Sequence, residues 1–108
     1  MAEIIQIQTP SNVTLKKYGL TSQEWHEILH RQHYSCAICG KTPSSGRFVT
    51  DHEHVRGFKR MKPEEKKKYV RGICCQHCNR YYLAKGITVE RAQNIVAYLQ
   101  AYRNRTTK

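Results

Sequence analysis

Residues 36–54 read CAICGKTPSSGRFVTDHEH, and residues 71–79 read RGICCQHCN. Each stretch holds a C-x-x-C pair, Cys36 with Cys39 and Cys75 with Cys78. At this spacing two thiolates of one turn can face a single tetrahedral Zn²⁺ at about 2.3 Å each. Two pairs in one small chain predict one structural zinc held by all four cysteines. The span from Cys39 to Cys75 is wider than the roughly 15–20 residues of a compact zinc ribbon, so something substantial is inserted between the knuckles. Cys74 is left over: only Cys75 has the right spacing to Cys78, and Cys74 is expected to point away as a small buried apolar residue. His77, inside the second knuckle, could ligate only by displacing a cysteine, and is read as a solvent or phosphate contact. The competing arrangement is a pair of disulfides or buried free thiols.

The bulk composition bears on that choice. The chain has 108 residues, of which 39% are hydrophobic, a thin supply for a self-sufficient core. Small scaffolds of this kind add disulfides, a metal or a partner. The first residues, MAEIIQIQTP, show neither a basic segment followed by an apolar one nor a membrane span. A reducing cytoplasm is the expected compartment, and there paired cysteines read as metal ligands rather than disulfides. The formal net charge of +11 is spread along the chain. No helix pairs a cationic face with a Trp/Phe/Leu face, so the implied polyanion is nucleic acid and not a membrane.

Residues 1–18 lack a clear period and pass Pro10, which predicts an extended or poorly ordered N-terminal arm. A capping box of Thr21 with Glu24, and a stripe of Trp25, Ile28 and Leu29, predict a helix over about 22–33. Short strands are expected at Phe48–Thr50 and around Tyr69–Ile73, joined by a long exposed loop over the basic run 56–68, which Pro63 breaks. A short helix is expected over Asn79–Lys85, stopped by Gly86. Thr88 then caps a last helix whose Ala92, Ile95, Val96 and Leu99 form an apolar face. The implied organisation is an arm over 1–18, one zinc-stapled domain over 19–104 and a frayed tail over 105–108.

Between the knuckles lies Thr50-Asp51-His52-Glu53-His54, and Asn79 directly follows the last cysteine. CAICG, the D-H-x-H motif and RGICCQHCN, preceded by YGLTSQEW, together resemble the recombination endonuclease VII family of HNH nucleases, typically phage-encoded. The likeness covers about residues 18–85. It implies a small α+β fold in which a ββα-metal (HNH) motif is built on a two-knuckle, four-cysteine zinc site, flanked by N- and C-terminal helices. It further implies that Asp51 and Asn79 ligate a catalytic Mg²⁺ or Mn²⁺, that His52 is the general base, and that His54 is a second active-site histidine. If the protein is phage-encoded, the implied setting is the bacterial host cytoplasm.

The residue types suit these roles. Mg²⁺ is a hard cation that takes one or two protein oxygens beside water and phosphate oxygens. A neutral imidazole can accept a proton from water near neutral pH. Glu53 is the alternative metal ligand, and His26, His30 and His33 are read as ordinary surface residues. In a regular strand Asp51 and His52 would face opposite sides, so a bend or bulge is expected where they meet. Arg56, Lys59, Arg60, Lys62, Lys66, Lys67, Lys68 and Arg71 are expected to contact phosphates.

By resemblance the function is metal-dependent hydrolysis of DNA, duplex or branched, leaving 3′-hydroxyl and 5′-phosphate ends. The alternative is a zinc module that docks on nucleic acid without cutting it. The basic run through Lys68 departs from the short connection of the family. At this length the chain is expected to be too short for the long C-terminal dimerisation and junction-binding region of the larger members, so junction resolution is not carried over, and either monomer or homodimer is expected.

Overall fold

The computed structural model describes residues 5–83 and 87–106. It is a small α+β structure in the order α1 (Asn12–Lys16), α2 (Ser22–Arg31), β1 (Val49–His52), α3 (Pro63–Lys66), β2 (Val70–Cys74), α4 (Gln76–Tyr81) and α5 (Val89–Thr106). Helix α2 starts where the sequence predicts it. Thr21 Oγ1 accepts from the Glu24 amide at 3.1 Å and Glu24 Oε1 accepts from the Thr21 amide at 2.9 Å, so two orphan donors are satisfied reciprocally. The helix ends at a reversal in which His33 and Tyr34 both take φ of +57°. That is an uncommon conformation for side chains of this size. It is held by bonds from the Tyr34 amide to Leu29 O at 2.9 Å and from Thr42 Oγ1 to Tyr34 O at 2.7 Å.

The core joins the first two helices to the sheet. Trp25, Leu29 and Ile73 are fully enclosed, with Leu15 and Leu20 around them. The Trp25 indole N–H donates to Thr50 Oγ1 at 3.1 Å, which satisfies both buried polar groups. The strands pair antiparallel, Val49 with Cys74, Thr50 with Ile73 and Asp51 with Gly72. Gln32 completes the outer side of β2: its Oε1 accepts from the Ile73 amide at 2.9 Å, and its Nε2 donates to Ile73 O at 2.7 Å.

Four expectations are corrected. The first eighteen residues are not simply an extended arm. Residues 12–16 form α1, capped by Ser11 Oγ, and Leu15 belongs to the core. One apolar residue in so short a helix leaves no period to read. Upstream of α1, the Gln8 amide donates to Gly46 O at 2.8 Å.

Residues 56–68 are not a featureless loop. A 3₁₀ turn at Phe58–Arg60, α3, and a second 3₁₀ turn at Lys67–Tyr69 occupy that run and the residue after it. Pro63 is the first residue of α3, a position where its missing N–H costs nothing, so it starts a helix and does not break one. Gly19, at φ +69°, lies so close to the Pro63 carbonyl that any Cβ would collide with it, which fastens this insert to the corner between α1 and α2.

Helix α4 begins at Gln76, inside the second knuckle, with Cys75 as its cap. Finally, α5 extends to Thr106, two residues into the expected tail, and among the described residues nothing buries its apolar face. Ile95, Val96 and Leu99 are all half-exposed or more. The Thr88 cap is present, with Oγ1 accepting from the Arg91 amide at 3.1 Å. The expected stop at Gly86 and the end of the tail lie outside the described residues. No described helix is long and apolar enough to cross a membrane.

Candidate metal centre and active site

The two knuckles meet. The Sγ atoms of Cys36, Cys39, Cys75 and Cys78 all lie within 4.8 Å of one another, with Cys39 and Cys75 at 4.0 Å. A tetrahedral zinc with bonds of about 2.3 Å sets its sulfurs about 3.8 Å apart, so the cluster fits one such ion after a small contraction. The backbone is already arranged for thiolates. The Ile38 amide points at Cys36 Sγ and the Cys78 amide at Cys75 Sγ, each at 3.4 Å. Burial pushes the Cys36 thiol up, but the amides of Cys39, Cys75 and Ile38 more than offset it and bring Cys36 down to about 6. Cys78 moves the other way, raised chiefly by burial and then by hydrogen bonds to its neighbouring thiols. Cys74 is buried outside the cluster at the end of β2, and burial pushes its thiol up to about 12. It behaves as the small apolar residue expected.

The pairing of β1 with β2 slips by one residue between Asp51 and His52, because His52 pairs with Val70 and leaves Arg71 without a partner across the ladder. The expected irregularity is there, and its extra residue is on the opposite strand. A bulge re-aims the side chain it carries. Here Arg71 turns onto Asp51, donating from Nε to Oδ2 at 2.7 Å and from Nη2 to Oδ1 at 3.0 Å. Asn79, projecting from the first turns of α4, donates from Nδ2 to the same Oδ1 at 3.2 Å. Asp51 is only 4% exposed, so its charge is held by these partners and not by water.

Beside Asp51, the His52 ring is enclosed by other rings. Phe58 stacks on it, His54 lies 4.8 Å away and Tyr18 5.4 Å away, centroid to centroid. Burial lowers the His52 pKa below 6.5, the positive charge available to His54 lowers it further, Asp51 pulls it back up and Arg71 opposes that. A neutral imidazole results. His52 and His54 open onto a cleft of about 790 Å³ that is also lined by Arg56, Phe58, Lys59 and Arg60.

The eight cations expected on phosphate therefore divide. Arg56, Lys59 and Arg60 face the histidines. Lys67 is committed to Glu24 at 2.7 Å, Arg71 to Asp51, and Lys66 lies 5.8 Å from the centroid of the Phe58 ring. Lys62 caps α3 and Lys68 lies in the turn before β2, neither of them lining the cleft. Glu53, the alternative ligand, is exposed. His26 is not a plain surface residue, since its Nε2 shares a hydrogen bond of 2.9 Å with Thr9 Oγ1 and ties the N-terminal segment to α2. Sequence reasoning missed Tyr18 and Phe58 as walls of the site. Aromatic residues within a basic run were the available signal.

Fold and site together define a small α+β domain whose four-cysteine cluster can hold one zinc ion and whose paired strands and following helix bring Asp51, His52 and Asn79 together. The family model for recombination endonuclease VII matches residues 11–101, and the chain belongs to that family. It is 31% identical over 88 residues to the Gene 59 protein of Mycobacterium phage D29, a match covering 80% of this chain and 47% of that protein. Against the Gene 59 protein of Mycobacterium phage L5 it is 33% identical over 70 residues, covering 64% of this chain and 36% of the other. The chain thus spans less than half the length of these curated relatives. No solved structure matches it.

Proposed function

We propose that the chain is an HNH endonuclease that hydrolyses DNA phosphodiester bonds with Mg²⁺ or Mn²⁺. The observation that carries this reading is the convergence of Asp51 and Asn79, 3.2 Å apart on β1 and α4, beside a His52 whose surroundings keep it neutral. A carboxylate and a carboxamide are the donor set a hard divalent cation accepts. Asp51 and Asn79 would hold such an ion, which would supply stabilisation of the charge developing on the leaving oxygen. His52 takes a proton from water as the water oxygen attacks phosphorus. The bond to the 3′ oxygen breaks, the 3′ oxygen takes a proton from solvent, and a 5′-phosphate remains. Arg56, Lys59 and Arg60 hold the backbone of the substrate in the cleft. A zinc held by Cys36, Cys39, Cys75 and Cys78 would be structural, because four thiolates complete a tetrahedral site with no position left for substrate.

A second reading, a zinc module that docks on DNA without cutting, is favoured by one observation: Arg71 already occupies both oxygens of Asp51. Supercoiled plasmid incubated with the zinc-loaded protein separates the two. Nicked or linear product with Mg²⁺, none with EDTA, and a loss of roughly 10²–10⁴-fold in His52→Ala with DNA binding retained is the expected result. Wild-type protein that binds plasmid and never cuts it with Mg²⁺ or Mn²⁺ leaves the docking module standing.

A further inference from the structure

We propose that Arg71 is an exchangeable counter-cation: its guanidinium neutralises Asp51 until a divalent ion binds, and then moves to the DNA phosphate being cut. The inference rests on Asp51 being a metal ligand, as proposed above. Its own evidence is the bulge. A regular ladder would send Arg71 to the face opposite Asp51, whereas the one-residue slip delivers a two-point guanidinium grip on a carboxylate that is otherwise shut off from water.

Buried carboxylates need a paired charge, and in the absence of a metal Arg71 supplies it. The same grip makes the two cations mutually exclusive. A metal ion can take Asp51 only through an oxygen that Arg71 now holds, and a dipositive ion beside the guanidinium repels it. Arg71 is free to leave. Its residue has no partner across the ladder, and its side chain is 36% exposed while that of Asp51 is 4% exposed. The planar fork that fits a carboxylate also fits a phosphate, so the displaced guanidinium finds an equivalent partner in the substrate held beside His52. Metal and DNA then bind with mutual support, since each accepts what the other releases.

Mn²⁺ titration of the zinc-loaded full chain, with free Mn²⁺ followed by electron paramagnetic resonance, tests this without reading cleavage. Arg71→Met should bind Mn²⁺ more tightly than wild type by roughly 10- to 100-fold, the range set by hydrogen bonds to charged groups. Arg71→Lys, which keeps the charge and cannot bridge both oxygens, should fall between them and decides the matter if the methionine variant loses zinc. In a His52→Ala background, adding a duplex oligonucleotide should raise Mn²⁺ affinity more when Arg71 is present than when it is methionine. Arg71 variants that bind Mn²⁺ no better than wild type, while Asp51→Ala loses the site, would overturn the exchange and leave the metal site intact. If Asp51→Ala binds Mn²⁺ as wild type does, both readings fall.

Discussion

Phe58 lies flat on His52, with ring centroids 4.4 Å apart and planes 22° from parallel. The residue that packs on the candidate base thus comes from the basic run 56–68, between the two strands. Burial is the largest influence lowering the His52 pKa below 6.5, and Phe58 is the ring stacked on it.

Phe58→Ala should therefore raise the His52 pKa. Because the protonated imidazole cannot accept a proton, the acid limb of cleavage against pH should move to higher pH. At alkaline pH the loss should be limited to about tenfold, from looser placement of the base. Phe58→Tyr keeps the plane and should restore the profile. Imidazole titration by NMR gives the check, and a wild-type His52 that titrates at or above 6.5 would contradict it.

Cys75→Ser should lose zinc and fold together, since structural zinc is worth on the order of 10–16 kcal/mol in finger peptides. Cys74→Ala should keep one zinc per chain. With its thiol pushed up to about 12 and buried, Cys74 should also resist alkylation in the native protein. Metal analysis, a melt and mass mapping of alkylated cysteines report all three, and full zinc in Cys75→Ser would reject the ligand set.

Replacing Arg56, Lys59 and Arg60 by Ser should make the slope of log K against log salt shallower by about 3, as three counterions fewer are released on DNA binding. Lys67→Ser should leave that slope nearly unchanged, because Lys67 is engaged by Glu24. Its cost in stability should be about 0.2–1 kcal/mol, as for other partly exposed ion pairs. Equal slopes for the triple variant and wild type would remove the cleft from the binding surface.

Trp25→Phe should cost about 1–2 kcal/mol by leaving Thr50 Oγ1 without its donor. Trp25→Ala should cost about 3–5 kcal/mol through the cavity it leaves, enough to consume much of a small domain's stability. Denaturant melts of zinc-loaded protein measure both. A smaller loss in the alanine variant than in the phenylalanine variant would mean that the indole is not the centre of this core.

Where function lies in spacing, the sequence speaks directly. Two C-x-x-C pairs announce the cluster, the Thr21–Glu24 box announces the start of α2, and adjacent Asp51 and His52 demand a distortion that the strand pairing supplies. What sequence left hidden depends on distant partners. The bulge sits at Arg71 on the other strand, so neither its place nor the Asp51–Arg71 pair can be read from the Asp-His stretch. The contact of Phe58 with His52 requires the path of the insert, which charge alone misrepresents as loop. Helix α5 shows the opposite failure: a periodic apolar face over Ile95, Val96 and Leu99 reads as core, yet periodicity cannot say whether another element lies against it.

Gln32 has a consequence for how copies of this chain behave toward one another. A sheet of two strands has two open edges, and an open edge invites a strand from a neighbouring molecule. At Ile73 both outward-facing backbone groups are already bound by one side-chain amide, as a third strand would bind them. An incoming strand would have to displace Gln32 from three good hydrogen bonds, counting the one to Ser35 O at 3.0 Å, and the Ala37 amide from Ile73 O at 3.1 Å, to gain two. Gln32, together with the Ala37 amide, thus serves as a blank end-piece to β2, protecting a small, weakly apolar protein against edge-to-edge aggregation at the strand that carries Arg71.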